Sequence, residues 1–274
     1  MLHLTRVLSM FKAPLALWGL WLLVGLALFA PAFFPNPNAQ NLTAVFTPPF
    51  SSWSNPLGSD ELGRSILAQL LHGLRVSLLV GVVCSLLSAG LGVGLGLLAG
   101  WNGGVLDRFI MRATEVQMAL PTMLLALVCL GVFGAGLVNL ILVIGVFGWA
   151  GFARLTRGVV LSQRQLEYVL AADALGVSGS RLLLRHMLPN IASGLVLQMA
   201  LDMPQNILLE GSLSFLGVGV GVDTPSLGTM MARGYAHLFS GAWWLGLLPG
   251  LLLLLLVLCC NALTEWLRKR LQPA

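Results

Sequence analysis

Charge is what this sequence has least of. Of its 274 residues only 9% are Asp, Glu, Lys or Arg, against about 25% in a soluble domain. With 57% of the residues hydrophobic, a water-soluble chain of this length would have too little polar surface to cover its core. Sites of chemistry are equally scarce. No G-x-x-x-x-G-K-[ST] phosphate loop and no His-Glu-x-x-His occurs, and there is no nucleophile–base–orienter set and no catalytic paired-carboxylate arrangement in one loop. The chain alone is therefore not expected to be a catalyst. His3, His72, His186 and His237 are scattered, and Cys84, Cys129, Cys259 and Cys260 all lie inside apolar runs. That pattern offers neither a metal site nor the disulfide frame of a secreted domain. A net charge of +5 comes without a basic stripe interleaved with aromatics, which argues against a nucleic-acid partner.

Long apolar runs are what the sequence has instead. Mean hydropathy is +0.90, and a helix needs about 20 apolar residues to cross the hydrocarbon core. Six runs qualify, at about 13–34, 76–99, 116–133, 135–153, 191–218 and 242–264. Alternating strands of a β-barrel are not the pattern, so the fold class is all-α integral membrane, with six transmembrane helices. Only the fifth run is interrupted, by polar residues around Pro204, which should kink or break its helix. Glycine numbers 32, and Gly90, Gly92, Gly94 and Gly96 form a stretch that would let a neighbouring helix approach closely.

The first run follows Arg6 and Lys12, and Ala30-Pro31-Ala32 looks like a cleavage site. Its apolar length exceeds that of a signal peptide, so it reads as an uncleaved first helix. Six helices place both termini on one side, and positive charge decides which. With cytoplasmic ends, the inner segments hold Arg6, Lys12, Arg108, Arg112, Arg154, Arg157, Arg164, Arg181, Arg185, Arg268, Lys269 and Arg270. Only Arg64, Arg75 and Arg233 fall outside. The chain then divides into a cytoplasmic N-terminus (1–12) and one membrane domain (13–274), with an outer loop at about 35–75, a cytoplasmic loop at about 154–190 and a second outer loop at about 219–241.

The cytoplasmic loop carries the strongest local signal. Ser162 with Gln165 fits a capping box, and 163–175 are good helix formers with Leu166, Val169, Leu170 and Ala174 on one apolar face. Gly176 is placed to end that helix left-handed, Ser178 to cap a second, and Pro189 to stop it or to lead into the next membrane helix. Helix, glycine turn, helix and proline make a compact knob. By physics alone it is either a docking surface for a partner or an amphipathic helix lying on the lipid.

The stretch resembles the EAA loop of bacterial ABC importer permeases: Ala171-Ala172, Gly176 and Leu188-Pro189 stand in its order and spacing. Leu170 replaces the motif's first Glu and His186 its usual Ile. Both departures resemble the branch that imports peptides and nickel, as do Glu167 to Ala172 and Arg185 to Asn190. Three further stretches agree: 55–65 with 72–78, 103–112 with Ala119-Leu120-Pro121, and 210–219 with 225–228 and 242–250. The long outer loop after a single helix looks like the C-type member of the permease pair. A basic tail, Leu267 to Gln272, replaces the family's acidic ending.

The resemblance implies a type I ABC importer permease fold in the bacterial cytoplasmic (inner) membrane. It also implies a non-catalytic transport subunit that forms half of a translocation pathway. Its partners would be a second permease subunit, two ABC ATPase subunits that bind ATP and Mg, an extracytoplasmic substrate-binding protein and membrane lipid. No cofactor or metal is expected in this chain. The ATPase-coupling residues would be Glu167, Ala171, Ala172, Gly176, Ser178, Arg181, Arg185, His186, Leu188 and Pro189. Asp202, Asn206 and Glu210 in the fifth run are candidates to line the path, or alternatively to satisfy neighbouring helices. Asp60, Glu61 and Arg64 are candidates for an outer contact with the binding protein, or for a structural clasp. The expected substrate is peptide-like, with nickel or a metal chelate as the alternative. A secondary transporter would show matching interrupted helices in its two halves, an exporter half would usually carry its ATPase fused or lack this loop, and a membrane-embedded enzyme would need more polar groups than this chain has.

Overall fold

The computed structural model describes residues 2–34, 36–175, 177–221 and 223–271. Among them the regular structure is helical, and the only strand-like pairing is an isolated bridge between Ser59 and Ser65. The α-helices are α1 (Leu2–Phe33), α2 (Ile66–Asn102), α3 (Gly104–Ala119), α4 (Thr122–Phe133), α5 (Leu137–Phe147), α6 (Trp149–Gln163), α7 (Glu167–Ala174), α8 (Gly179–Arg181), α9 (Leu188–Phe215), α10 (Leu227–Ala236) and α11 (Trp244–Leu271). A π-helical segment, Leu182–Met187, joins α8 to α9.

The spine of the bundle is α2, with 37 residues. At 1.5 Å per residue it is about 55 Å long, far beyond the roughly 30 Å hydrocarbon core. It starts ten residues before the apolar run at 76 because its polar residues find partners. The Gln69 amide donates to Asp60 Oδ2 at 2.9 Å, and His72 Nε2 lies 2.7 Å from Phe34 O at the end of α1. So the expected outer loop of 35–75 closes at Ser65.

Glycine decides what α2 touches. A Cβ on Gly92 would stand 2.5 Å from Phe152 Cβ, one on Gly96 2.6 Å from Ala153 O, and one on Gly100 2.9 Å from Val160 Cβ. These positions repeat every four residues, so one stripe of α2 lies directly against α6. Gly90 and Gly94 have nothing within 4 Å. The close approach expected of the 90–96 stretch is thus made by half of its glycines, because the other half point away. Higher up, Gly81 receives Ile207 of α9 and Gly73 receives Leu227 of α10.

Two prolines shape the path. At Leu120–Pro121 the third apolar run turns by 90° between α3 and α4. Leu120 is extended (φ −98°, ψ 134°), as the residue before a proline prefers. The run at 116–133 is therefore not one straight helix, and α4, with 12 residues, is only about 18 Å long. Pro204 does not break α9, which runs uninterrupted from Leu188 to Phe215. Its missing N–H frees the carbonyl of Ala200, and the Thr264 hydroxyl of α11 donates to that oxygen at 2.7 Å. A neighbouring helix supplies the bond the proline cannot.

Among the described residues three helical stretches are long and apolar enough to cross a membrane: Ile66–Asn102, Leu137–Gln163 and Trp244–Leu271. The bent pair α3–α4 makes a fourth if counted as one span, and Leu17–Phe33 is a shorter apolar stretch. Large apolar side chains such as Trp18, Leu22, Phe133 and Leu254 face outward. In water this would expose too much apolar surface, whereas in lipid it carries no such cost.

Candidate functional site

The loop after α6 is built against the far end of α2. The expected capping box does not form, because α6 runs on to Gln163 and the Ser162 hydroxyl donates back to Val159 O at 2.9 Å. The next helix accordingly begins at Glu167 rather than 163. Val169 of α7 is 3% exposed and packs with Val160, Leu182, Met187 and Ile191, beside Leu97 and Trp101 of α2. That anchor sets the rotation of α7: of the four residues expected on one apolar face, Val169 is buried and Leu166 exposed, and the side chains of Leu170 and Ala174 lie outside those described. The exposed stripe consists of Glu167, Tyr168, Ala171 and Leu175, with Leu166 before it. Leu175, at the end of this stripe, is 84% exposed.

Beyond the turn the two helices expected around Pro189 are one. Ser178 takes the position before α8 but makes no capping bond. From Gly179 the chain stays helical to Phe215, with a π-type bond from the Leu188 N–H to Leu183 O. Pro189 stands at the junction of the π-helical segment and α9, leading into the long helix rather than stopping it. Arg181, Arg185 and Pro189 are exposed, and Ala172 and Leu188 are half-buried. Gly176 lies outside the described residues, as does the side chain of His186.

Trp101 is the floor of this unit. A Cβ on Gly179 would stand 2.6 Å from its ring. The Arg164 guanidinium stacks over it at 5.1 Å and donates to Trp101 O at 2.7 Å, satisfying a free carbonyl at the end of α2. Alongside, Arg157 of α6 grips Asp107 in the first turn of α3 with two parallel bonds, Nη2 to Oδ2 at 2.7 Å and Nε to Oδ1. A bidentate pair of this kind fixes both distance and angle between two helices.

In mid-bundle, α9 turns a polar stripe toward a cavity of about 400 Å³. Gln198, Asp202, Gln205 and Asn206 line one wall, and Gln117, Thr122 and Phe147 belong to the opposite side. Asn206 Nδ2 bridges from Asp202 Oδ2 (3.3 Å) to Ser85 Oγ of α2 (3.0 Å). Glu210 does not join them. It is fully buried and accepts bonds from the Ser77 hydroxyl of α2 at 2.9 Å and from Ser214 at 2.8 Å. Eight residues amount to about 80° of helical rotation beyond two turns, enough to carry Glu210 from the cavity to the α2 interface. The three candidate path residues are thus divided: Asp202 and Asn206 line the cavity, and Glu210 lies in the contact with α2.

At the start of α2 the residues Asp60, Glu61 and Arg64 form a clasp. Asp60 Oδ2 accepts from Arg64 Nε at 2.6 Å and from Gln69, and its Oδ1 accepts the backbone N–H groups of Leu62 and Arg64. Asp60 and Arg64 are 3% and 7% exposed, so both face inward; Glu61, 3.3 Å from Arg64 Nη2, is more open. The Trp244 indole donates to Ser59 O at 3.2 Å and ties the clasp to α11. Arg233 of α10 borders the same group. Burial pulls its guanidinium below the ordinary range and the Arg64 charge adds to this, while Glu61 and Asp60 oppose it.

A spine helix, a helical knob at one end of it and a polar mid-bundle cavity can be compared with known proteins. Residues 92–273 match the family described as "Binding-protein-dependent transport system inner membrane component". The chain belongs to that family. The permease is 37% identical to the dipeptide transport system permease protein DppC of Haemophilus influenzae, over 90% of this chain and 85% of that one. It is 39% identical to the di/tripeptide permease protein DppC of Pseudomonas aeruginosa, over 92% and 84%. It is 34% identical to the oligopeptide permease protein OppC of Mycobacterium tuberculosis, over 98% and 92%. Among solved structures, a chain of the inward-facing MetNI methionine ABC transporter matches with a TM-score of 0.60 at 18% identity, covering 74% of this chain and 96% of that one. That match shows the fold, the type I importer permease arrangement.

Several residues that organise the permease's sites were not singled out from sequence. Trp101, Arg164, Asp107, Arg157, Gln117, Gln198 and Gln205 all belong to this group. For Asp107 a signal existed: an acid in the first turn of a helix favours the positive helix end. The three glutamines carry no spacing signal of their own. They become a set only when the 90° turn at Pro121 brings α3 opposite α9.

Proposed function

We propose that this permease forms half of the translocation pathway of an ATP-driven importer for peptide-like substrates, and that the 162–190 loop couples it to ATPase subunits. The observation that carries the coupling role is the pairing of an exposed stripe, Glu167, Tyr168, Ala171 and Leu175, with a rigid backing of Val169, Trp101 and Met187. A surface that is apolar, exposed and firmly held suits a partner's groove, and the exposed Arg181 and Arg185 suit acids at its rim. Because the chain is helical from Gly179 into α9 and Val169 of α7 packs on that stretch through Leu182 and Met187, a push on α7 would reach the cavity at Asp202 as a rigid-body movement.

In this reading six spans cross the inner membrane, α3–α4 and the continuous stretch Leu137–Gln163 each counting as one, with both termini cytoplasmic. The distribution of Lys and Arg supports that orientation. Partners are a second permease, two ATPases that supply the ATP and Mg site, and an extracytoplasmic binding protein. The inward-facing Asp60 and Arg64 act as a clasp, which leaves Glu61 and the exposed Phe50 and Trp53 for an outer contact. The peptide reading rests on the names of the dipeptide, di/tripeptide and oligopeptide relatives. Nickel or a metal chelate has no comparable support.

The test is Ala171→Arg, an exposed site where a bulky charge leaves the core untouched. The variant should reach the membrane at normal abundance yet fail to retain ATPase subunits on purification and fail in uptake. Normal assembly with normal uptake would overturn the coupling role.

A further inference from the structure

The mid-bundle cavity holds one acid and no base. Asp202 is only partly buried, and among the described residues no Lys, Arg or His lies within ion-pair distance of it. Its Oδ2 accepts from Asn206, while no partner is found for Oδ1 among the described residues. A carboxylate without a cation is costly at mid-membrane depth, which makes it a functional position by default. Around it stand neutral carboxamides. Gln198 and Gln205 have no side-chain partner among the described residues, whereas Gln117 spends its amide N–H on Phe147 O. Each free carboxamide offers an N–H donor and a C=O acceptor side by side, the same pair that a peptide bond presents.

From this arrangement we infer that Asp202 is an ammonium subsite in the translocation pathway, holding the free α-amino end of a peptide while Gln198 and Gln205 pair with its backbone. The inference rests on the pathway reading above and adds the chemistry of the site. An α-ammonium carries three N–H donors and one positive charge, which matches a single carboxylate with an open oxygen. A divalent cation would want several anionic oxygens, and no cluster of three acids, histidines or cysteines exists among the described residues. The volume of about 400 Å³ lies in the range of small-ligand pockets, roughly 300–1,000 Å³. Asn206 is a positioning residue: its bond to Ser85 of α2 fixes the Nδ2 that steadies Asp202.

The experiment uses the complete transporter in proteoliposomes, with its binding protein saturated by a tripeptide bearing either a free or an acetylated N-terminus. The same binding protein serves wild type and variant, so its own selectivity cancels in the comparison. Asp202→Asn keeps size and hydrogen bonding and removes the charge. Uptake of the free-amine peptide should fall by about tenfold, the scale of one charge-assisted hydrogen bond, and uptake of the acetylated peptide by less than about twofold. Asp202→Glu should retain the preference for the free amine. An equal loss for both peptides, or no loss for either, overturns the subsite. Gln205→Trp, which fills the cavity, separates the two levels: if both peptides still pass at the wild-type rate, the pathway reading itself fails.

Discussion

Single atoms decide how closely these helices approach. Gly92 and Gly96 have backbone or Cβ atoms of α6 where a side chain would be, while Gly90 and Gly94 face open space. Gly96→Val should therefore destabilise the permease by about 1–3 kcal/mol or more, seen as lost monodisperse protein in detergent. Gly90→Ala and Gly94→Ala should behave as wild type. Were all of these equally damaging, the stripe would not be the contact. Thr264 offers a second test. Its hydroxyl serves the carbonyl that Pro204 leaves free, so Thr264→Val should cost about 1 kcal/mol, a few degrees in thermal unfolding, and Thr264→Ser should not. Glycine spacing announced a close approach in the sequence, but which glycines make it depends on where α6 lies. Pro204 read as a break because the donor that repairs it sits 60 residues away in the chain.

Elements show the same division between local and distant information. Apolar length located the helices, yet their ends were misjudged wherever polar residues find partners, as Gln69 and His72 do at the start of α2. The helix–turn–helix order of the loop was legible in the sequence, although Ser178 makes no capping bond and Pro189 does not end the second helix. The rotation of α7 was not, because it depends on Val169 meeting Trp101, Met187 and Ile191. Trp101 is accordingly the residue on which the knob's rigidity hangs. Trp101→Ala removes the bed of Gly179 and the stacking partner of Arg164, a loss of about 3 kcal/mol by the usual cost of truncating a packed aromatic. The complex should still assemble and hydrolyse ATP, but uptake per ATP should fall. Uptake per ATP equal to wild type would mean that the loop does not depend on this floor.

For the whole molecule, α2 ties the two ends together: the clasp of Asp60 and Arg64 stands at its start and the helical loop proposed for coupling rests on Trp101 near its end. Between them α9 runs from the loop past the cavity to the buried Glu210. The proposed push, the proposed path and the buried Glu210 thus lie along two long helices, the arrangement that force transmission by rigid bodies would use. The most direct measurement is of Leu175, which is 84% exposed in the single chain. With Leu175→Cys as the sole cysteine, a membrane-impermeant thiol reagent should label the isolated permease readily in inside-out vesicles. Addition of the ATPase subunits should slow that labelling markedly, because a partner's groove would then cover the thiol. Labelling at the same rate in a fully assembled, ATP-hydrolysing complex would contradict the account.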